Sequence, residues 1–230
     1  MQIFAVRVPN RISVDLISIL KSNLNKRNVK YKLTKDLVRT LIGELVVRVE
    51  FLKRYNNRNE EIIFITNKYG KPYIEQQIDF KFNVSHSNEW VVVSIDNEEN
   101  GIDIEEISPI SFHVAKHFFS QQEYIDLMSI NEEIRIQYFY DLWTLKESYI
   151  KAVGEGLHID LDSFTIRKIG TFISISKRES RGEPYFFKQY NIDEKYKLSV
   201  CSKQSTFPDN VIFYDFNYLL EVFLTFITID

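Results

Sequence analysis

The feature that most constrains the fold is a short strand pattern followed by a long amphipathic helix. In Gly101-Ile102-Asp103-Ile104-Glu105, apolar and acidic residues alternate, which predicts a β-strand with both carboxylates on one face. Residues 131–153 have apolar side chains at helical spacing, and Gly154 ends this pattern. Within that helix, Glu147 and Lys151 lie one turn apart. If the helix packs across the strand, three carboxylates and an ammonium group converge.

Such a cluster suggests a chemical use, and it also has an ordinary alternative. Carboxylate oxygens are the ligands that Mg²⁺ prefers, and a lysine beside the metal suits a negatively charged substrate such as a diphosphate. In the alternative, the acidic strand is half-solvated and the helix presents a solvated charged face. Neither motif alone decides between the two.

A third motif lies upstream and changes this balance. Gly70-Lys71-Pro72 is followed by Phe82-Asn83-Val84-Ser85-His86-Ser87, and then by the acidic strand and by Trp143-Thr144-Leu145-Lys146-Glu147-Ser148. The four motifs, in this order, resemble those of the 4'-phosphopantetheinyl transferases of the surfactin-synthetase-activating (Sfp) type. The resemblance extends over about residues 39–203, which is most of the chain.

The resemblance implies an α+β fold of two similar α/β subdomains with antiparallel sheets and a cleft between them for coenzyme A. The order of predicted elements agrees, because each half has a helix followed by a run of strands, as in a pseudo-duplication. We expect subdomains at residues 1–100 and 101–205, the second carrying the metal site, and a C-terminal tail at 206–230.

The resemblance also implies the reaction. The 4'-phosphopantetheine arm of coenzyme A passes to a serine of an apo carrier protein, and adenosine 3',5'-bisphosphate is released. In this chain Asp103, Glu105 and Glu147 would bind Mg²⁺ against the diphosphate. Glu147 would also be the general base, directly or through a metal-bound water, and Lys151 would neutralise the diphosphate and the leaving oxygen. Lys146 points about 100° away on the helix and is expected to be solvated or paired.

Coenzyme A contacts are implied for residues of the first half. Arg39, Ser85 and His86 would contact the 3'-phosphate or the diphosphate, and Lys71 would lie on the adenine side of the cleft. From the residues alone, His86 could equally be a satisfied loop histidine. Family members often have two basic residues upstream of Arg39, where this chain has Asn23 and Lys26; Lys21 is a possible substitute.

Two other functions use the same residues. A metal-dependent phosphohydrolase would use the carboxylates with water as the nucleophile, and a non-catalytic nucleotide-binding module would not need Glu147 and Lys151 together. A transferase needs a surface for its carrier protein, and several aromatic and apolar residues between Ile107 and Met128 could form it: Phe112, Val114, Phe118 and Phe119. The ordinary alternative for these residues is core packing.

Composition and charge limit the partners and the compartment. The net charge of −3 indicates no general affinity for nucleic acid or anionic membranes. The single cysteine, Cys201, excludes an internal disulfide, and residues 1–10 do not resemble a signal peptide, so we expect a cytoplasmic protein, and a monomer. The last twenty residues are apolar, but Asp215, Asn217 and Glu221 argue against a membrane span. Residues 221–230 extend beyond the family pattern, as an added strand, a cover for an apolar patch or a disordered tail.

Local patterns give further expectations. Ser85-His86-Ser87 is predicted to be a polar loop after a strand, and residues 90–96 and 101–105 to form a β-hairpin. Ser120 and Glu123 match a helix capping box, and Thr34 is a suitable cap for the helix that follows it.

Overall fold

The computed structural model of the chain describes residues 1–24, 35–55, 57–75, 77, 79–177 and 184–227. The helices described are α1 (Val14–Leu24), α2 (Lys35–Arg54), α3 (His113–Phe118), α4 (Gln121–Ser129), α5 (Glu132–Val153) and α6 (Phe216–Ile227). The strands described are β1 (Gln2–Arg7), β2 (Phe64–Thr66), β3 (Pro72–Ile74), β4 (Lys81–Ser87), β5 (Trp90–Asp96), β6 (Asn100–Glu106), β7 (Phe164–Ile169), β8 (Phe172–Lys177), β9 (Phe186–Tyr190), β10 (Tyr196–Ser202) and β11 (Ile212–Tyr214). The expected cap Thr34 and the basic residue Lys26 lie outside these residues.

The N-terminal lobe is a four-stranded sheet in the order β11-β1-β5-β4, together with α1, α2 and α6. Neighbouring strands of this sheet are antiparallel, except that β11 runs parallel to β1. β5 is buried at every position because both of its faces are covered. Val91 and Val93 pack with α2, whereas Trp90 and Val92 pack with residues of β6 and β10. The near-continuous apolar sequence of β5 follows from this double burial.

The C-terminal lobe is built on a three-stranded antiparallel sheet in the order β6-β10-β9. Helix α5 packs on one face of this sheet, and the N-terminal lobe covers the other. β7 and β8 form a separate hairpin beside α4. The predicted α+β class, with antiparallel sheets and two domains, is therefore confirmed. Each lobe places one long helix against its sheet, α2 in the first and α5 in the second.

Two local predictions are wrong. Residues 90–96 and 101–105 do not form a hairpin, because β5 already pairs with β1 and β4 at its two edges and β6 pairs with β10 instead. Ser85-His86-Ser87 is not a loop but the end of β4, paired with β5, and the chain turns one residue later, at Asn88 with φ of 42°. The serines and His86 therefore point to opposite faces of a strand.

The two sheets meet where β4 lies alongside β6. Residues of β4 and β6 that lie side by side are separated by the same number of residues along the chain, as in a parallel pair. The hydrogen-bond acceptors, however, are side chains of β4 instead of main-chain carbonyl oxygens. Three alternate residues of β4 each accept a hydrogen bond from a main-chain N–H of β6: Asn83 Oδ1 from Ile102 at 3.0 Å, Ser85 Oγ from Ile104 at 3.4 Å, and Ser87 Oγ from Glu106 at 3.0 Å. The junction between the lobes is thus lined by polar side chains.

The C-terminal segment returns to the N-terminal lobe. β11 adds to the sheet beside β1, and α6 packs on α2 with Phe216, Leu219 and Phe223 buried. Three alternatives were open for the residues from 221 onwards. As far as Ile227, they form a helix that covers an apolar surface of the first lobe. Among the described helices, none has the length and apolar character that a membrane crossing requires.

Candidate active site

Asp103 is the centre of the polar cluster between α5 and β6. Its side chain is 4% exposed, and its Oδ1 lies 2.6 Å from Lys151 Nζ and 3.0 Å from the hydroxyl of Ser85, which donates to it. Burial raises the pKa of Asp103, although Lys151 and Ser85 act in the opposite direction. Its second oxygen, Oδ2, is buried and has no hydrogen-bond partner among the described residues. Such an unpaired acceptor is costly unless a ligand completes it.

Glu105 and Glu147 share the electrostatic environment of Asp103. The hydroxyl of Ser87 donates to Glu105 Oε2 at 3.1 Å. Burial, followed by the charge of Asp103, raises the pKa of Glu105 to about 7. Burial and the same aspartate also raise the pKa of Glu147. Asp103 thus contacts Lys151 directly and its charge acts on both glutamates, while the convergence of the three carboxylates on one ion stays a prediction.

Gly101 explains how α5 comes so close to β6. A Cβ atom at this position would lie 2.1 Å from the carbonyl oxygen of Ser148 and 2.4 Å from the amide nitrogen of Ala152. These are main-chain atoms of the helix, so no side-chain adjustment could relieve the clash. Only glycine allows this approach. The close contact lets the side chain of Lys151 reach Asp103.

The donor set has the chemistry of a site for a hard divalent cation. Three carboxylates supply oxygen ligands of the kind that Mg²⁺ prefers, and Asp103 has a buried oxygen without a partner. Within the residues that the structure describes, however, no three such side chains are arranged closely enough to hold an ion. The residue types fit the metal, while the present arrangement holds the ammonium of Lys151 against Asp103 instead.

Arg39 and His86 lie together on the face of β4 that turns towards α2. The guanidinium of Arg39 donates to Asp36 Oδ1 at 2.7 Å and to the carbonyl oxygen of Asn88 at 2.8 Å. The side chain of His86 is exposed, yet partial desolvation and the charge of Arg39 lower the pKa of its imidazole. Ser85, from the other face, instead contacts Asp103, Lys151 and the main chain of β6. Of the four residues of the first half predicted to contact coenzyme A, Arg39 and His86 therefore lie on one face of β4 and Ser85 lies on the other.

Lys71, the fourth of them, lies at the end of α5. Its Nζ donates to the carbonyl oxygens of Asn100 and Ala152 and to Glu99 Oε2, at 3.2, 3.1 and 3.0 Å. Burial lowers its pKa, although Glu99 acts in the opposite direction. In this structure the ammonium group is bound by the protein itself.

Lys146 was expected to be either solvated or paired, and the structure shows it paired and fully buried. Its Nζ lies 2.7 Å from both carboxylate oxygens of Glu123 and 2.8 Å from the carbonyl oxygen of Phe164. Glu123 also completes the predicted capping box with Ser120, which is confirmed. This pair joins α4, α5 and β7 away from Asp103. It supports the helix that carries the candidate residues.

Sequence reasoning missed Ser87 and Asn88. Ser87 holds Glu105, and the Asn88 Nδ2 donates to both oxygens of Glu106 at 3.1 Å while its carbonyl oxygen accepts from Arg39. Asn88 therefore connects α2 to β6. The signal that could have found both residues is the placement of Ser-His-Ser in a strand, because alternation sends the two serines to one face.

Lys21 and Asn23, which lie upstream of Arg39 where basic residues were expected, belong to α1. The side-chain amide of Asn23 donates to the carbonyl oxygen of Ile19 within α1 at 2.9 Å. Lys21 is half-buried in the same helix. None of the contacts observed within the described part of the chain joins Asn23 or Lys21 to Arg39.

The expected partner surface divides into exposed and buried residues. Val114 is 37% and Phe118 is 42% exposed, whereas Phe119 is 3% exposed. Phe112 is half-buried and packs edge-on against Phe139 of the C-terminal core. Two of the four residues are therefore open to a partner, and the other two are wholly or largely core residues.

Comparison with known protein families adds independent evidence. Residues 99–201 match the model of the 4'-phosphopantetheinyl transferase superfamily. Residues 10–98 match a model described as 4'-phosphopantetheinyl transferase, N-terminal. The boundary between the two matches falls at the turn between β5 and β6, where the chain passes from one sheet to the other.

Several curated relatives cover most of the chain. The 4'-phosphopantetheinyl transferase gsp of Aneurinibacillus migulanus is 43% identical over 201 residues, which is 86% of this chain and 84% of the relative. The 4'-phosphopantetheinyl transferase Sfp of Bacillus subtilis strain 168 is 40% identical over 188 residues, 81% and 83% of the two chains. Among solved structures, the holo-[acyl-carrier-protein] synthase of Thermotoga maritima has 15% identity and a TM-score of 0.41, covering 54% of this chain and 73% of that one.

Proposed function

The chain belongs to the 4'-phosphopantetheinyl transferase superfamily, and we propose that it transfers the 4'-phosphopantetheine arm of coenzyme A to a serine of an apo carrier protein, releasing adenosine 3',5'-bisphosphate. The observation that supports this proposal is the ion pair of Asp103 and Lys151 where α5 crosses β6, with Glu105 and Glu147 influenced by the charge of the same aspartate. This cluster offers acceptors for a cation or a proton beside an ammonium group for a phosphate.

The proposed reaction is an in-line displacement at phosphorus. The serine hydroxyl of the carrier attacks the phosphorus that bears the pantetheine arm, and the bond from this phosphorus to the bridging oxygen breaks. The bridging oxygen leaves with adenosine 3',5'-bisphosphate. An alcohol is a poor nucleophile towards a diphosphate, so the enzyme must remove a proton, reduce the negative charge and orient the attacking oxygen.

Glu147 accepts the serine proton in this mechanism. Its pKa is raised by burial and by Asp103, which brings the carboxylate closer to the neutral value that suits a general base. Lys151 exchanges its contact with Asp103 for the diphosphate and neutralises the charge that develops on the leaving oxygen. Asp103, Glu105 and Glu147 would hold Mg²⁺, which when bound reduces the charge of the diphosphate.

Arg39 and His86 bind the 3'-phosphate of coenzyme A in the proposal. Arg39 suits this because its planar guanidinium can bind two phosphate oxygens, and it lies beside His86. Ser85 would contact the diphosphate through its hydroxyl group, which in this structure accepts a hydrogen bond from Lys151. Lys71 was expected on the adenine side, and its contacts with α5 support a different use, argued below.

The carrier protein docks on the exposed side chains beside the site, Val114 and Phe118, in the proposal. The targets would be carrier domains of nonribosomal peptide, polyketide or fatty acid synthases, which would place the enzyme in antibiotic or lipid biosynthesis. We propose a monomer acting in the cytoplasm, a compartment that suits the single, buried thiol of Cys201.

The test is to incubate the protein with coenzyme A, Mg²⁺ and an apo carrier protein, and to measure the intact mass of the carrier. A gain of one phosphopantetheine arm, with release of adenosine 3',5'-bisphosphate, supports the proposal. A carrier whose acceptor serine is replaced by alanine is the control and should gain nothing. Cleavage of coenzyme A without a change in carrier mass would favour the phosphohydrolase alternative, for which the relatives give no support. No reaction at all would overturn the proposed activity.

A further inference from the structure

A turn of the N-terminal lobe contacts the C-terminal end of α5. Residues 67–71 connect β2 to β3, and Asn67 closes this turn because its Oδ1 accepts from the amides of Tyr69 and Lys71, both at 2.9 Å. The Nδ2 of the same side chain donates to the carbonyl oxygen of Gly154 at 2.8 Å. Asn67 thus joins the turn to the residue that ends α5.

Lys71 adds a second link between this turn and α5. Its Nζ donates to the carbonyl oxygen of Ala152, in the last turn of α5, and also binds Asn100 and Glu99. An ammonium group has three protons, and these three acceptors can use all of them. The last carbonyl oxygens of a helix lack partners within the helix and carry its negative dipole end, so a cation stabilises them. The side chain of Lys71 is 14% exposed, which leaves little of it for a substrate.

The packing at this point leaves little freedom for α5. Gly154 has φ of 79°, and a Cβ there would lie 2.8 Å from Lys71 Cδ. On the other side of the helix end, a Cβ at Gly101 would meet main-chain atoms of Ser148 and Ala152. The end of α5 is therefore enclosed between the 67–71 turn and β6. Lys151 lies within this enclosed segment.

From these contacts we propose that Asn67 and Lys71 are positioning residues that fix the end of α5, and with it Lys151 and Glu147, against β6. This inference rests on the proposed function for its catalytic consequence. The N-terminal lobe then contributes to the phosphate-binding geometry through helix placement, and the ammonium group of Lys71 acts on the reaction through its contact with α5 rather than by binding coenzyme A.

The chain offers a matched control for Lys71. Lys81 Nζ lies 3.1 Å from Glu99 Oε1, so it pairs with the same carboxylate as Lys71. None of the contacts observed in the described residues joins the Lys81 ammonium to α5. Lys71→Met and Lys81→Met each remove one positive charge beside Glu99, and Lys71→Met alone removes the contact with the helix.

The first measurement is hydrogen exchange of the amides at the end of α5, without coenzyme A. We expect Lys71→Met to speed exchange there by about tenfold, while Lys81→Met leaves it unchanged. Asn67→Asp serves as a second variant if Lys71→Met folds poorly. It keeps the Oδ1 acceptor that closes the turn, but places a carboxylate oxygen where Nδ2 donated to Gly154, so it should also speed exchange.

The second measurement is steady-state transfer. Lys71→Met should lower kcat by about tenfold or more while changing the KM for coenzyme A less than about threefold, and Lys71→Arg should recover part of kcat. A large rise in the KM for coenzyme A, with kcat and hydrogen exchange unchanged, would show that Lys71 is a substrate ligand and overturn the inference. If the unmodified protein transfers no arm, the proposed function fails, and hydrogen exchange still decides whether the turn fixes α5.

Discussion

Lys151 of α5 and Asp103 of β6 form an ion pair whose atoms Nζ and Oδ1 lie 2.6 Å apart, with the aspartate side chain 4% and the lysine side chain 27% exposed. Both residues are proposed to contact ligands during the reaction, Asp103 a cation and Lys151 the diphosphate. The pair therefore keeps the two charges compensated until these ligands arrive. Burial of a carboxylate without a partner would be costly.

The first prediction concerns the stability of this pair. Lys151→Met leaves the buried carboxylate of Asp103 without its countercharge, although the Ser85 hydroxyl still donates to it, so we expect the free energy of unfolding to fall by roughly 3 kcal/mol, the lower end for a broken buried pair. Asp103→Asn should cost less, because the lysine is partly exposed, and adding it to Lys151→Met should recover much of the loss. Denaturant titrations of the four proteins measure this. Both single variants should lose transfer.

Arg7→Met is the control for this cycle. Arg7 Nη2 lies 2.6 Å from Glu89 Oε2, and both side chains are exposed, so the loss of stability should be much smaller than for Lys151→Met. A strictly additive effect of Asp103→Asn and Lys151→Met would contradict a stabilising interaction between the two residues.

The second prediction concerns pH and Glu105. The pKa of this carboxyl is about 7 in the folded protein, above its ordinary value of 4.5, so the fold favours the protonated form. Holding Glu105 ionised in the folded protein therefore lowers the free energy of unfolding. This loss is absent below about pH 4.5 and complete above about pH 7. Glu105→Gln should stabilise the metal-free protein at pH 8 by on the order of 1–2 kcal/mol, after allowance for solvent screening.

Denaturant titrations at pH 5 and pH 8 in the presence of a chelator measure this difference. At pH 5 the variant and the unmodified protein should differ much less, which makes the lower pH an internal control. A stabilisation of equal size at both pH values would point to packing rather than to the charge of Glu105.

Local patterns predicted much of the fold. The ends of α5 agree with the predicted helix over residues 131–153 to within one residue, and α4 begins at the predicted capping box of Ser120 and Glu123, because caps and apolar spacing are encoded locally. The alternation of residues 101–105 placed Asp103 and Glu105 on one face, and helical spacing placed Glu147 and Lys151 one turn apart. Both relationships depend only on residues near in sequence.

Partners distant in sequence could not be predicted in the same way. Alternation shows which face of β6 is polar, but not that β10 rather than β5 pairs with it. Similarly, nothing near Lys71 indicates that its ammonium reaches the carbonyl oxygen of Ala152. Lys146 was expected to be solvated or paired, and its complete burial depends on Glu123 of α4, which only tertiary packing brings close.

The third prediction concerns the 3'-phosphate of coenzyme A. If Arg39 and His86 bind it, replacing both by alanine removes charge-assisted hydrogen bonds that only coenzyme A can make. The KM ratio of 3'-dephospho-coenzyme A to coenzyme A should fall by about tenfold or more. Arg167→Ala, which removes an exposed arginine from β7, is the control and should leave this ratio unchanged. An unchanged ratio in the double variant would exclude both residues from 3'-phosphate recognition.

The fourth prediction concerns the carrier protein. Val114 is exposed on α3, so Val114→Asp should disturb docking without opening the core. We expect the KM for the carrier to rise about tenfold or more, with the KM for coenzyme A changed less than about twofold. Ile169→Asp is the matched control, since Ile169 is 73% exposed in the same lobe but lies at the turn between β7 and β8. Equal effects of the two variants would indicate a non-specific loss.

The last prediction separates two uses of Glu147. Glu147→Gln keeps the size of the side chain and an oxygen that can bind a metal, but it cannot accept a proton at neutral pH. Loss of a general base should lower kcat by about a hundredfold or more, with a modest change in the affinity for coenzyme A. Glu132→Gln, at the exposed start of the same helix, is the control and should retain activity.

The pH dependence of kcat/KM then decides whether Glu147 is the group that titrates. Burial and Asp103 raise its pKa, so in the unmodified enzyme activity should rise with pH as Glu147 loses its proton. In Glu147→Gln this acidic limb should disappear or move, because the titrating carboxyl is gone. If the acidic limb of the variant matches that of the unmodified enzyme, Glu147 is not the base, and its contribution is that of a ligand. Another group must then remove the serine proton, and Glu105, with its pKa of about 7, is the next to replace.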